Sequence, residues 1–273
     1  MTDLWEYDIQ GGYWTQCASM PDAATARTGA SGFAIGEKGY ITLGQDNSSN
    51  YLADTWEYDP ATDTWTQKDD YKGGARISAI AFGIGQYGYV GTGYNGNYQK
   101  DFYRFDPQAA AGQQWEIVNG FGGQKRQGGT SFVIDDKAYI CCGVNNGSYV
   151  YDFWCFDPST GVFTQLRDIA DTSDDDYDDD YTSIVRANAV SFVIDGKGYL
   201  VTGEYGSLLS NYWIYDPATD LWEGEDLTAF EGSVRKNAVA FSTGTRGFVV
   251  TGQASSSYYD DTWELSPYEY EEE

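Results

Sequence analysis

The stretch Asp54-Thr-Trp-Glu-Tyr-Asp-Pro-Ala-Thr-Asp-Thr-Trp-Thr-Gln67 reads as two short strands joined by one turn. From Thr55 to Tyr58, large aromatic residues alternate with polar or small ones, the period of a strand with two unlike faces. Asp59-Pro60 opens the turn, because the Asp carboxylate accepts backbone N–H groups and the Pro ring presets φ at the next position. Thr64-Trp65-Thr66 is the return strand. The same text recurs at Leu4–Asp8 with Tyr13–Thr15, at Phe102–Pro107 with Gln114–Glu116, at Phe153–Pro158 with Val162–Thr164, and at Tyr212–Pro217 with Leu221–Glu223. A half-copy, Thr262-Trp-Glu-Leu265, comes last. All 9 Trp and four of the 6 Pro fall in these hairpins, so these residues serve one repeated structural task.

Working outward, each hairpin from the second onward follows an Arg, an apolar strand, a Gly-containing turn and a second strand that ends in Gly. The Arg residues are Arg27, Arg76, Arg126, Arg186 and Arg235, spaced by 49, 50, 60 and 49 residues. The first copy continues through Phe33-Ala-Ile35, Gly36-Glu-Lys-Gly39 and Tyr40-Ile-Thr-Leu-Gly44. A period near 50 residues with four strands per unit is the signature of a β-propeller.

The Arg, the apolar strand, the Gly-Tyr before a second strand ending in Gly, and the Trp hairpin with Asp-Pro together resemble the kelch repeat. The resemblance covers nearly the whole chain in five copies. It extends to the bacterial surface and lipoprotein branch of kelch proteins and to the galactose-oxidase-like propeller superfamily. It implies an all-β, five-bladed propeller with four antiparallel strands per blade. Two features depart from the pattern. The usual glycine pair that closes the second strand is reduced to one, preceded by Leu43, Thr92, Cys142, Thr202 or Thr251, and kelch rings more often have six or seven blades.

The expected blades run over about 26–68, 75–118, 125–166, 185–225 and 234–265, the last taking in 4–17, as one domain over 1–273. With strands named a to d outward, the text holds five a, five b, six c and five d. The N-terminal Tyr13-Trp14-Thr15 is therefore expected to supply the d strand of the last blade and close the ring, hiding edges that invite aggregation. One c strand, Leu4–Tyr7 or Thr262–Leu265, is then surplus.

Composition limits the function. The net charge of −26 makes nucleic acid and anionic membrane surfaces poor partners, and no apolar run approaches the ~18 residues of a membrane span. There is no histidine, which removes Ser-His-Asp and Cys-His nucleophiles, imidazole metal sites and a copper oxidase chemistry. Of the 4 Cys, Cys141 would face Cys155 if their hairpin centred near residue 148, within disulfide reach, although free thiols are the preferred reading. Met1-Thr2 runs straight into strand text, and Met1 reads as a start placed on a trimmed chain, leaving export open. The surface-protein resemblance implies an extracellular, periplasmic or cell-surface location. A monomer is expected.

Alternating strand direction puts the starts of the a strands, the b–c loops and the d–a connections at one end of every blade. That end carries the length variation, and variable loops on a rigid scaffold are where function concentrates. It holds Arg27, Arg76, Arg126, Arg186 and Arg235, either as a cationic rim for a carboxylate or as braces to loop carbonyls and Asp side chains. It also holds Tyr51, Tyr98, Tyr149 and Tyr258, each followed at the third position by an Asp, with Leu208 and Asn211 as the odd copy. The Asp residues are read as turn caps and the Tyr residues as an aromatic rim or as packing between loops. The d–a connection from Gln165 to Val185 is about ten residues longer than its counterparts and contains Asp174, Asp176, Asp178 and Asp180. This acidic run is a solvated loop or a candidate Ca²⁺ site without an EF-hand pattern. The tail Tyr268–Glu273 is expected to fray.

Three functions are compatible with these residues. The first is a non-enzymatic binding module for a protein or glycan at the variable end. The second is a carbohydrate-active enzyme of the sugar-acid epimerase or lyase type, with no cofactor. The third is a structural part of a larger cell-surface protein.

Overall fold

The computed structural model describes residues 2–224 and 227–265. Met1 and the tail Tyr268–Glu273 lie outside the described residues. The chain is all-β, of the five-bladed propeller class, and among the described residues every regular element is a strand. It divides into two compact units, Met1–Asn119 and Gly120–Glu273.

The first unit holds an N-terminal hairpin and two complete blades. Blade 1 is Ser31–Ile35, Lys38–Thr42, Thr55–Asp59 and Thr64–Lys68, paired antiparallel in chain order. Blade 2 repeats this with Ile80–Ile84, Tyr87–Gly91, Phe102–Phe105 and Trp115–Val118. The opening stretch forms as read: Trp56 pairs with Gln67 and Tyr58 with Trp65 across the turn, and Asp59 Oδ1 accepts the Ala61 N–H at 3.0 Å. Blades 1 and 2 meet through buried aromatics, with Phe33, Tyr40, Phe105 and Trp115 in one cluster.

The second unit holds blades 3, 4 and 5. Blade 3 is Thr130–Ile134, Lys137–Cys141, Trp154–Asp157 and Val162–Gln165. Blade 4 is Val190–Ile194, Lys197–Val201, Tyr212–Asp216 and Leu221–Glu223. Blade 5 has three described strands, Val239–Ser242, Gly247–Val250 and Thr262–Leu265.

Two repeated contacts join successive blades inside a unit. The N–H of the glycine that ends strand b donates to the carbonyl of the next blade's Arg: Gly44 to Arg76, Gly143 to Arg186 and Gly203 to Arg235, at 2.8–2.9 Å. The second contact explains the Gly-Tyr text. Three a-strand Phe residues lay their rings over the glycine of the next blade's b strand: a Cβ on Gly88 would stand 2.1 Å from Phe33, on Gly198 2.3 Å from Phe132, and on Gly247 2.1 Å from Phe192.

Two expectations are corrected, and one departure from the repeat is explained. Tyr13–Cys17 pairs with Leu4–Asp8 in a sheet of its own, and does not extend the last blade as its d strand. Its end docks instead on blade 1, where the Ala18 N–H donates to Asp63 Oδ1 at 2.8 Å and Trp65 Nε1 donates to the Ala18 carbonyl at 2.8 Å. The same bond recurs from Trp115 Nε1 to the Asp69 carbonyl at 3.0 Å, so the hairpin stands to blade 1 as the outer half of blade 1 stands to blade 2. Next, Cys155 lies opposite Tyr139, not Cys141, because the hairpin centres one residue earlier, its tip being Asn146-Gly147; all four Cys are free thiols. Last, the single closing glycine does not relax the turn before it. Leu43, Thr92, Cys142, Thr202 and Thr251 take left-handed φ values of 66°, 62°, 65°, 63° and 59°, a conformation that suits glycine far better than a branched side chain.

Candidate binding surface at the loop ends

The Arg side chains point inward. Arg76, Arg126, Arg186 and Arg235 are fully buried, and the Arg27 side chain keeps 3% of its accessible surface. Each meets the b–c loop of its own blade. Arg27 grips Asp54 at 2.7 and 2.6 Å, and Arg76 grips Asp101 at 2.5 and 3.0 Å. Arg126 bonds Asp152, and Arg235 bonds both oxygens of Asp261. In blade 4 the acceptor is Asn211 Oδ1, at 3.1 Å from Arg186 Nη2. The same guanidiniums also donate to the carbonyl of the residue before the closing glycine: Leu43, Thr92, Cys142, Thr202 and Thr251, at 2.8–3.2 Å. Of the two readings of the Arg series, cationic rim or braces, the side chains take the second: they tie strand a's entry, the end of strand b and the loop into strand c.

The Asp residues are Arg partners, and two also receive the indole N–H of the following Trp: Asp54 from Trp56 at 2.6 Å and Asp261 from Trp263 at 2.8 Å. Burial pushes the Asp54 carboxyl up, but the Arg27 and Trp56 bonds hold it below its ordinary value. The Arg235 bond is the main cause holding Asp261 low. Sequence alone names Asp side chains as acceptors for the Arg braces without matching each Arg to its Asp. The signal is their near-constant separation of 25 to 27 residues in every blade.

With the Arg groups inside, the exposed side chains of this end are polar ones together with several tyrosines. Each b–c loop is tied by a backbone bridge to the residue after the Arg: Thr28 to Gln45, Ile77 to Tyr94, Gln127 to Val144, Ala187 to Glu204 and Lys236 to Gln253. In the second unit these loops become short hairpins: Val144–Asn145 with Ser148–Tyr149, Glu204–Tyr205 with Ser207–Leu208, and Gln253–Ala254 with Ser257–Tyr258. They expose Tyr151 (41%), Tyr205 (50%) and Tyr258 (82%).

Of the Tyr series, Tyr258 projects into solvent and the others are half-buried. Tyr51 bridges Gln45, and the Tyr98 ring stands edge-on to Tyr94 at 5.0 Å. Tyr149 packs against Tyr205 of the next blade with ring centroids 4.6 Å apart and planes tilted by 50°, and its Oη accepts the Gly206 N–H at 2.9 Å. Glu204 joins blades 4 and 5 by accepting from Asn188 at 2.9 Å and from Lys236 at 2.8 and 2.9 Å. Tyr151 and Tyr205 have no counterpart in the repeated Tyr-x-x-Asp text, so composition alone does not mark them.

The long connection after blade 3 is anchored, not simply solvated. Asp178 is buried and accepts the N–H groups of Thr172 and Ser173 and the Ser173 hydroxyl at 2.8–3.0 Å. Tyr181 is buried against Trp213, and its Oη accepts the Trp222 N–H at 2.8 Å. The carboxylates brought together are Asp171, Asp178 and Asp179, with oxygens within 4.8 Å. Of the four Asp residues singled out by sequence, this group includes only Asp178.

The family model described as Kelch motif matches residues 125–168, which is the third of the five repeats. No curated protein matches the chain.

Proposed function

Given that the chain is a kelch-repeat β-propeller, we propose that it is a binding module, whose protein or glycan ligand docks on the b–c hairpins of blades 3, 4 and 5. The observation that carries this is the set of Tyr151, Tyr205 and Tyr258, exposed on hairpins held by backbone bridges and by the Tyr149–Tyr205 and Glu204–Lys236 contacts. Tyrosine supplies a large, stiff contact area with a polar tip, and its face stacks on a sugar ring as readily as on a peptide. The alternative, an epimerase or lyase acting on a sugar acid, would want an Arg open to the substrate carboxylate, and the five repeated Arg side chains are spent on internal acceptors.

A glycan array and a protein-interaction screen, each run with the native chain and with the Tyr151→Ala, Tyr205→Ala, Tyr258→Ala triple variant, test the reading. Binding by the native chain is expected to fall at least about tenfold in the variant, the scale of one to two aromatic contacts, with an unchanged melting temperature. Equal binding by both proteins, or turnover of a sugar acid, would overturn it.

A further inference from the structure

The hairpin of Leu4–Asp8 with Tyr13–Cys17 has the build of the outer half of a blade. Eight of the fifteen residues at 3–17 are identical to those at 54–68, which include the outer half of blade 1. The register is the same: Trp5 faces Gln16 and Tyr7 faces Trp14, as Trp56 faces Gln67 and Tyr58 faces Trp65. Asp3 Oδ2 accepts the Trp5 indole N–H at 2.9 Å, as Asp54 accepts that of Trp56. In blade 1 the inner edge of Thr55–Asp59 pairs with strand b. Among the described residues, no strand pairs with that edge of Leu4–Asp8.

The acids of this outer half also lack the donors that an inner half supplies. In blade 1, Asp54 is gripped by Arg27 at the entry to strand a, and Glu57 accepts from Lys38 Nζ at 2.9 Å and from Tyr40 Oη at 2.7 Å, both on strand b. The counterparts Asp3 and Glu6 are exposed. Among the described residues Asp3 has no Arg partner, and Glu6 receives the Cys17 thiol at 3.9 Å. Trp56 keeps 4% of its accessible surface in the complete blade, whereas Trp5 keeps 47%. Lys68, which also pairs with Glu57, is replaced by Cys17, so the hairpin repeats the acids of blade 1 without the basic residue. A row of unpaired backbone N–H and C=O groups is a template for a further strand.

We propose that the free edge of Leu4–Asp8 is a docking site for a basic β-hairpin of a partner protein, which adds in trans as strands a and b. Blade 1 specifies the chemistry of that partner. It carries an Arg at the entry to its first strand, to grip Asp3, and a Lys and a Tyr on its second strand, to donate to Glu6. Leu4 stands where blade 1 has Thr55, whose hydroxyl lies 3.0 Å from that of Thr42, so the partner residue opposite Leu4 is apolar. A second copy of the chain could supply such a pair only by opening one of its own blades, because each of its five a–b pairs already holds a c strand. The site uses none of the residues of the tyrosine surface, and its test is independent of that surface.

The probe is a synthetic peptide of residues 26–45, the a–b half of blade 1, carrying a photo-crosslinker and titrated onto the full chain. Saturable binding is expected, with crosslinks in residues 3–17. Arg27→Ala in the peptide or Asp3→Asn in the chain is expected to weaken binding at least about tenfold, and the two together no more than either alone. Thr42→Val in the peptide sets a methyl against Leu4 and is expected to tighten binding about threefold. A peptide that merely displaced blade 1's own strands would lose the Thr55 hydroxyl contact and bind more weakly after that change. No binding, crosslinks in Thr55–Asp59 or Thr64–Lys68, or an affinity unmoved by Asp3→Asn would overturn the proposal. A dimer joined through the hairpin, seen by sedimentation and crosslinking, would make a second copy the occupant and overturn it as well.

Discussion

At the scale of single residues, the loop ends are governed by where five guanidiniums send their hydrogens. An exposed ion pair adds little, whereas breaking a buried one by removing a partner costs about 3–5 kcal/mol. The Asp54 and Asp261 carboxyls titrate below their unfolded values, so the unfolded chain takes up protons first as pH falls. Their stabilising effect is complete above the unfolded carboxylate value of about 3.9 and is lost as pH drops through it toward the folded value. Urea midpoints are therefore expected to hold from neutral pH to about 5 and to fall below about 4. Asp54→Asn is expected to lower the neutral midpoint and flatten part of that acid slope; a slope unchanged in this variant would mean that the pair is not linked to folding. The Arg series and its two possible uses were legible in the sequence, and the choice between them was not, because the partner lies 25 to 27 residues away on another loop and only folding selects between it and solvent.

At the scale of strands, local chemistry was read well and long-range register was not. The Asp-Pro turns and the alternating aromatics each depend on neighbours in the chain, and each forms as expected. The Cys141–Cys155 register failed by two residues because moving a hairpin's centre by one residue shifts every partner by two. At Gly88, Gly198 and Gly247 the b-strand glycine also gains a reason that periodicity does not reveal: it is the floor of a slot for the preceding blade's Phe. Gly198→Ala would drive a methyl to within 2.3 Å of the Phe132 ring. Overpacking of this kind costs about 1–3 kcal/mol. A second substitution, Phe132→Leu, is expected to recover part of the loss by making room, measured as urea midpoints in a double-mutant cycle. Full additivity of the two changes would place the strain elsewhere.

For the molecule as a whole, charge and repetition pull in different directions. The repeats bury their Arg–Asp pairs, while the chain carries a net charge of −26, which acts as mutual repulsion in the compact state. Raising the salt from about 0.02 to about 0.5 M shortens the screening length from roughly 20 to about 4 Å. The melting temperature is therefore expected to rise, with no such gain for a variant in which several exposed Asp are replaced by Asn. A fall in melting temperature with salt would show that exposed ion pairs outweigh the repulsion. The five blades were legible from the repeat, and the place of the first hairpin was not, because the same Trp text fits the outer half of any blade.

The Phe-over-glycine contact also has a direction in time. Phe33 leaves the ribosome before Gly88, Phe132 before Gly198, and Phe192 before Gly247. In each pair the knob is synthesised first and the hole that receives it later. A growing chain thus presents an aromatic ring to blades 2, 4 and 5 as each is made, and the new blade's strand settles onto a surface that is already waiting for it.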